Sequence, residues 1–220
     1  MKLRFLSVLL GVFCSFGVLR AQISENFDGN ALSSTWKGDV SKFEIEDGKL
    51  VLSDDGNAGI SFISTYSTAM DDCLWETTVR LGFKPSGSNF VRIYLTSNSI
   101  DFTEPMEGYY LQIGNSDRKV LLYQMKNKTA KKLAESEENR LDNETIELSV
   151  KVIRNKDSEW KVYTQLNEEK SFREEFSVVD SSFRTTAFSG IYCKYTKTNS
   201  TKISVDKFAI DGEAVADETN

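Results

Sequence analysis

Over residues 145–154, apolar and polar side chains alternate one by one. Ile146, Leu148, Val150 and Val152 fall on one side of an extended chain, and Glu147, Ser149 and Lys151 on the other. Successive side chains of a strand point to opposite faces, so this stretch reads as a strand with one buried face. Residues 73–83 repeat the pattern. Trp75, Thr77, Val79, Leu81 and Phe83 share one phase; Glu76, Thr78 and Arg80 share the other. Asp47-Gly48 joins two further alternating runs, which is the signature of a two-residue hairpin. Turn residues recur at Lys84-Pro85-Ser86, Asn115-Ser116-Asp117 and Asn155-Lys156-Asp157. The chain reads as about a dozen short strands, and no stretch keeps a helical period long enough for an amphipathic helix.

Strands that are apolar on one side belong in antiparallel sheets packed face to face; a parallel sheet buried on both sides would be apolar throughout. The expected fold is therefore all-β, a two-sheet antiparallel sandwich. Near the C-terminus Ile203 and Val205 share one phase, while Phe208 and Ile210 are offset by one. A β-bulge at Asp206-Lys207 would absorb that slip. No repeat or linker interrupts the sequence, and 220 residues at 40% hydrophobic suffice for one sizeable core.

The N-terminus has the form of a targeting segment. Lys2 and Arg4 precede an apolar run over residues 5–19, and Leu19-Arg20-Ala21 ends on a small residue. The run is short for a membrane span, and Phe13 stands where a lipidation signal at Cys14 would need a small residue. The expected organisation is a signal peptide over 1–21, one domain over 22–212 and a polar tail over 213–220. The protein is then exported, to the periplasm, the cell surface or the medium, without stable membrane insertion. Removing Lys2, Arg4 and Arg20 from 27 basic residues leaves 24 against 33 acidic ones, a net charge of about −9. That balance argues against nucleic acid or an anionic lipid surface as partner.

The chain has no histidine. This excludes a Ser-His-Asp triad, a Cys-His nucleophile and a His-ligated zinc. Cys73 and Cys193 remain after the signal segment. In an exported protein they form either one disulfide or two buried thiols that behave as small apolar groups.

Three stretches carry a family resemblance. Asn26-Phe27-Asp28-Gly29 with Thr35-Trp36-Lys37-Gly38-Asp39 and Phe43 is similar to the opening of a jelly-roll module of secreted multi-module proteins of Gram-negative bacteria. Residues 89–95 and 108–114 resemble its central strands. Tyr192-Cys193-Lys194-Tyr195 with Val205-Asp206 resembles its closing ones. The wider resemblance is to the concanavalin A-like lectin/glucanase superfamily, which implies a jelly-roll sandwich of glycan-binding type. Glucanases of that superfamily carry Glu-x-Asp-x-x-Glu on one strand. The nearest match, Glu44-Ile45-Glu46-Asp47, runs into the Asp-Gly turn, and Glu104 and Glu107 sit in a loop beside Pro105. An enzyme is not expected; a glycoside hydrolase or lyase is the least favoured reading.

The candidate ligand surface is centred on residues 83–114. There the polar and aromatic phase holds Arg92, Tyr94, Tyr110 and Gln112, joined by Arg80 and, if the last strands pair nearby, by Tyr192 and Lys194. Aromatic rings and planar hydrogen-bonding groups on one strand face suit a sugar ring. The same composition also describes an ordinary solvated sheet face. The expected partner is a glycan or, alternatively, another surface protein met by a structural or adhesive module. No organic cofactor is expected. A structural calcium would draw on Asp28 with Asp206 or Asp211 if the terminal strands pair; the other reading of these three is turn capping. Trp36 is expected to pack in a loop and Trp160 in the core. Whether the 135–143 connection or another loop covers the ligand face depends on tertiary packing.

Overall fold

The computed structural model describes residues 20–214. Within them lie fifteen strands and two single 3₁₀ turns, Val40–Lys42 and Lys197–Asn199. No helix among the described residues is long and apolar enough to cross a membrane. Every strand pairing is antiparallel, and the strands form two sheets packed as a jelly-roll sandwich.

The eight-stranded sheet contains β1 (Arg20–Glu25), β3 (Phe43–Glu46), β4 (Lys49–Leu52), β6 (Ala69–Leu81), β11 (Ile146–Arg154), β12 (Glu159–Leu166), β13 (Arg173–Val179) and β15 (Ile203–Ala214). Their order is β13-β12-β11-β6-β15-β4-β3, with β1 beside the later part of β15. The seven-stranded sheet contains β2 (Lys37–Gly38), β5 (Gly59–Tyr66), β7 (Phe90–Ser97), β8 (Met106–Ile113), β9 (Val120–Asn127), β10 (Thr129–Glu135) and β14 (Phe188–Tyr195). Its order is β10-β9-β8-β7-β14-β5-β2.

The alternating runs set the register. Leu148 pairs with Val79 and Val152 with Trp75, so both strands bury the same phase. On β15 the expected bulge lies between Val205 and Lys207. It leaves Asp206 exposed and lets Ile203, Val205, Phe208 and Ile210 all turn inward. Trp160 stacks on Trp75 at 5.6 Å between the sheets, and Trp36, in the loop before β2, meets Phe208 edge-on at 5.3 Å.

The expected signal peptide lies outside the described residues except for Arg20 and Ala21, which begin β1 opposite Glu213 and Gly212. β15 also runs two residues past 212, and Glu213 there pairs with Lys156 at 2.8 Å. Cys73 and Cys193 are both buried and unbonded, so the disulfide alternative is corrected. The two lie on strands of different sheets. Cys73 packs under Gly212 of the neighbouring strand, where an added Cβ would come within 2.6 Å of its sulfur. Burial pushes both thiols above their ordinary pKa, which keeps them protonated and unreactive.

A buried hydroxyl ties the end of β14 to the loop after β4. Tyr195 Oη donates to Asp54 Oδ2 at 2.6 Å and also meets Ser61 Oγ at 2.6 Å. The Tyr195 hydrogen bond is the main reason the Asp54 carboxyl lies below its usual pKa, with Asn57 and Lys42 adding to it. A carboxylate whose folded-state pKa is depressed contributes its stability fully above the unfolded pKa and loses it as pH falls through the folded value. Tyr195→Phe is expected to cost about 1–2 kcal/mol at neutral pH. In acid titrations followed by circular dichroism, the gap between wild type and variant should narrow as pH falls through and below the ordinary aspartate range. A gap that stays constant through that range would show that the Asp54 charge plays no part.

Candidate functional site

The seven-stranded sheet has an inner face in the core and an outer face lined by one phase of each strand. Register places Arg92 opposite Gln112 on β8 and Tyr192 on β14. Tyr94 lies opposite Tyr110 and Gly190, Tyr110 opposite Tyr123, and Phe90 opposite Lys194. Pairing alone therefore gathers six of the seven expected ligand residues on one surface.

Arg92 is the centre of this surface. Its guanidinium carbon sits 4.6 Å from the ring centre of Tyr110 and 5.1 Å from those of Phe90 and Tyr192. Nε donates to Gln112 Oε1 at 3.0 Å, and Gln112 Nε2 donates to the carbonyl of Gly114 at 3.0 Å. The amide is thereby fixed, and it fixes the guanidinium in turn. Each ring contributes about 0.5–2 kcal/mol of cation–π attraction, depending on how dry the contact is. Burial pushes the phenols of Tyr94, Tyr110 and Tyr192 to higher pKa, and the Arg92 charge pulls each the other way. All three remain neutral. Among the described residues, no hydrogen-bond partner meets the buried hydroxyl of Tyr94.

The face is partly covered by a strap. Tyr94 and Tyr110 are 0% and 1% exposed, beneath a strap formed by residues 98–105 between β7 and β8. Phe102 of the strap stacks on Tyr94 at 4.0 Å with planes 12° apart, and lies 5.5 Å from Phe62. Ser64 Oγ donates to the carbonyl of Ile100 at 2.8 Å. Within the strap, Asp101 Oδ1 accepts from the backbone N–H and hydroxyl of Thr103 at 2.8 and 2.6 Å. The 135–143 connection does not cover the face. It turns inward, burying Leu141 and sending Arg140 to Glu175 and Glu169 at 2.6 and 2.7 Å. Arg92, Lys194, Phe62, Tyr123 and Met125 remain half-exposed beside the strap. A cleft of about 390 Å³ opens next to Lys194, lined also by Ile60, Ser88, Tyr195 and Thr196. On the far side of the strap, Tyr66 is 67% exposed and meets Phe188 edge-on at 6.2 Å.

Arg80 is not part of this surface, which corrects the expectation. It projects from β6 on the outer side of the other sheet, 3.9 Å from Glu147. Residues 82–89 carry the chain from one sheet to the other, so the polar phases of β6 and β7 face opposite ways. Arg80 lines a larger cleft of about 550 Å³ with Thr145, Glu147, Asn167 and Glu168. That cleft has no aromatic ring, and its one cation is opposed by a carboxylate, so it suits a sugar less well than the Arg92 surface. The calcium expectation is also corrected. β1 and β15 do pair, but Asp211 is taken up by Arg20 at 2.8 Å and Gln22 at 3.3 Å, while Asp28 and Asp206 are exposed. No group of three or more acidic or cysteine side chains among the described residues is placed to hold a metal ion.

Sequence reasoning missed Phe90, Phe62, Tyr123 and Phe102. Phe90 shares the phase of Arg92 and Tyr94, so alternation alone could have added it. Phe62 and Tyr123 needed the strand order. Phe102 sits in a polar connection, and nothing in its neighbours marks it.

Neither a family model nor a curated protein matches the sequence. Solved structures do match. The exoplasmic/lumenal domain of VIP36, in a form bound to calcium and mannose, aligns with a TM-score of 0.62 at 11% identity, over 90% of this chain and 92% of that one. The carbohydrate recognition domain of Emp47p aligns at 0.58 and 12% identity, over 88% and 95%. Carbohydrate binding module CBM66 from Bacillus subtilis aligns at 0.50 and 16% identity, over 83% and 96%. The fold is a concanavalin A-like jelly roll. At such identities the likeness lies in the backbone; the side chains around Arg92 have to be read for themselves.

Proposed function

We propose that this chain is an exported, non-catalytic module that binds carbohydrate on the outer face of its seven-stranded sheet, beside the strap. The observation that carries the reading is the Arg92 guanidinium, held among three aromatic rings and a fixed amide and still half-exposed. Rings next to rigid planar donors match the alternation of apolar and hydroxyl-bearing faces on a pyranose. The mannose-bound VIP36 domain, the Emp47p carbohydrate recognition domain and the carbohydrate binding module CBM66, all of similar fold, add support. Titration against a polysaccharide panel tests the proposal. Tyr123→Ala should weaken binding by about tenfold with the circular dichroism spectrum kept. Absence of binding to every polysaccharide at millimolar sugar would overturn the reading.

A second reading is favoured by the patch beyond the strap. Tyr66 and Ile100 are 67% and 43% exposed on the same side of the molecule. Exposed aromatic and aliphatic side chains on one side suit a protein contact, as in an adhesive module of a larger surface assembly.

A further inference from the structure

The ligand face is net basic even with Asp101 and Glu104 of the strap counted. Outward strand positions of the seven-stranded sheet include Lys37, Arg92, Lys132 and Lys194, with Lys119 just before β9. The one carboxylate among those positions, Glu135, is neutralised by Lys119 at 2.9 Å and Lys132 at 2.5 Å. The outer side of the other sheet pairs its charges instead: Glu76, for example, takes Lys151 at 3.2 Å and Lys207 at 2.7 Å. A net basic face on a chain of formal charge −6 is a segregation that composition does not require.

Lys132 lies on the edge strand β10, where charge also discourages edge-to-edge pairing. Arg92 and Lys194 lie on central strands and have no such task. Among the described residues, neither has a carboxylate within 4.0 Å. Lys194 Nζ rests over the Phe90 ring at 5.5 Å and reaches only a backbone carbonyl, that of Gly87 at 3.4 Å. Gln112 occupies Arg92 Nε, and no side chain among the described residues accepts a hydrogen bond from its Nη groups. A guanidinium presented through its paired nitrogens matches the two oxygens of a carboxylate.

From this arrangement we infer that the site selects an acidic polysaccharide, a chain of uronic acid units whose carboxylate docks on Arg92 with Lys194 beside it. The inference rests on the proposed reading of this face as a glycan site and names the class of sugar. The neighbouring sugar ring packs on the half-exposed Tyr123, across from Tyr110, and the Tyr94 hydroxyl borders the buried side of the guanidinium. A polyanion is repelled by most of this acidic protein, so the basic face also sets the direction of approach.

The test is isothermal titration of the full mature chain with polygalacturonate, its fully methyl-esterified form, a neutral mannan and dextran sulfate, at low and at 0.3 M salt. Polygalacturonate should bind, and capping its carboxylates should weaken it about tenfold or more. Raising the salt should weaken it to a similar degree, to about a tenth. Arg92→Gln should abolish the preference for the acid over its ester. Equal binding of acid and ester, or binding of the neutral mannan alone, overturns the inference and leaves the glycan reading standing. Binding of dextran sulfate alone overturns the carboxylate assignment. Failure of all four polysaccharides overturns both readings. The ester comparison uses the unaltered protein, so a folding defect in the Arg92 variant cannot hide the answer.

Discussion

Trp160→Ala is expected to remove about 3–5 kcal/mol from the free energy of unfolding. Trp160 is fully buried on β12 and packs between both sheets. Its ring stacks on Trp75 at 5.6 Å, meets Tyr109 at 4.6 Å, and lies 5.4 Å from the guanidinium carbon of Arg154. The indole nitrogen donates to the carbonyl of Asp180 at 3.3 Å. Alanine would leave a cavity at the junction of the two sheets and also uncover Arg154. That arginine is 0% exposed and is balanced by Asp71, the carbonyl of Met70 at 3.0 Å and Ser158 Oγ at 2.9 Å. Such a group tolerates no loose neighbour, because a buried charge is costly wherever its surroundings rearrange. Denaturant unfolding of wild type and variant measures the loss. A difference below about 1 kcal/mol would mean that the two sheets do not close on this ring.

Gly190→Ala should loosen the strap and destabilise the protein by about 1–3 kcal/mol. A Cβ built at Gly190 would stand 2.2 Å from the carbonyl oxygen of Ile63, 2.8 Å from Cα of Ser64 and 2.9 Å from Phe102 Cε2. The first two contacts are backbone of the paired strand β5 and can yield only if the pairing shifts. The third is the ring that closes the strap over Tyr94. One methyl group therefore strains the sheet and lifts Phe102 together. Limited proteolysis should cut the variant within residues 98–105 well before wild type, with a lowered Tm alongside. Unchanged protease resistance and Tm would show that Phe102 is not seated on Gly190.

Both expectations turn on features that differ in how far they can be read from the sequence. Trp160 shares a phase with Val162 and Leu166, so its burial follows from alternation alone. Gly190 is one glycine among 13, and only the approach of β5 and Phe102 marks it out. The same division runs through the candidate site. Arg92, Tyr94, Tyr110 and Gln112 were placed on one face by counting residues along two adjacent strands. Tyr192 and Lys194 joined them once β14 was found beside β7.

Alternation is a property of the extended backbone itself, so strands, their buried phases, the bulge on β15 and the sandwich class are all local information summed along the chain. Which sheet a strand enters is not local. Arg80 and Arg92 carry the same kind of pattern on successive strands, yet they emerge from opposite sides of the molecule because the chain changes sheets between them. The strap is not local either: Phe102 finds Tyr94 only because β14 offers a glycine to make room. The sequence by itself determined the layers and the aromatic, cationic phase of the central strands. Tertiary pairing alone decided that Arg80 leaves that surface, that Tyr94 and Tyr110 become its floor, and that the Arg92 guanidinium, caged by rings and unmatched by any nearby carboxylate, becomes its open end.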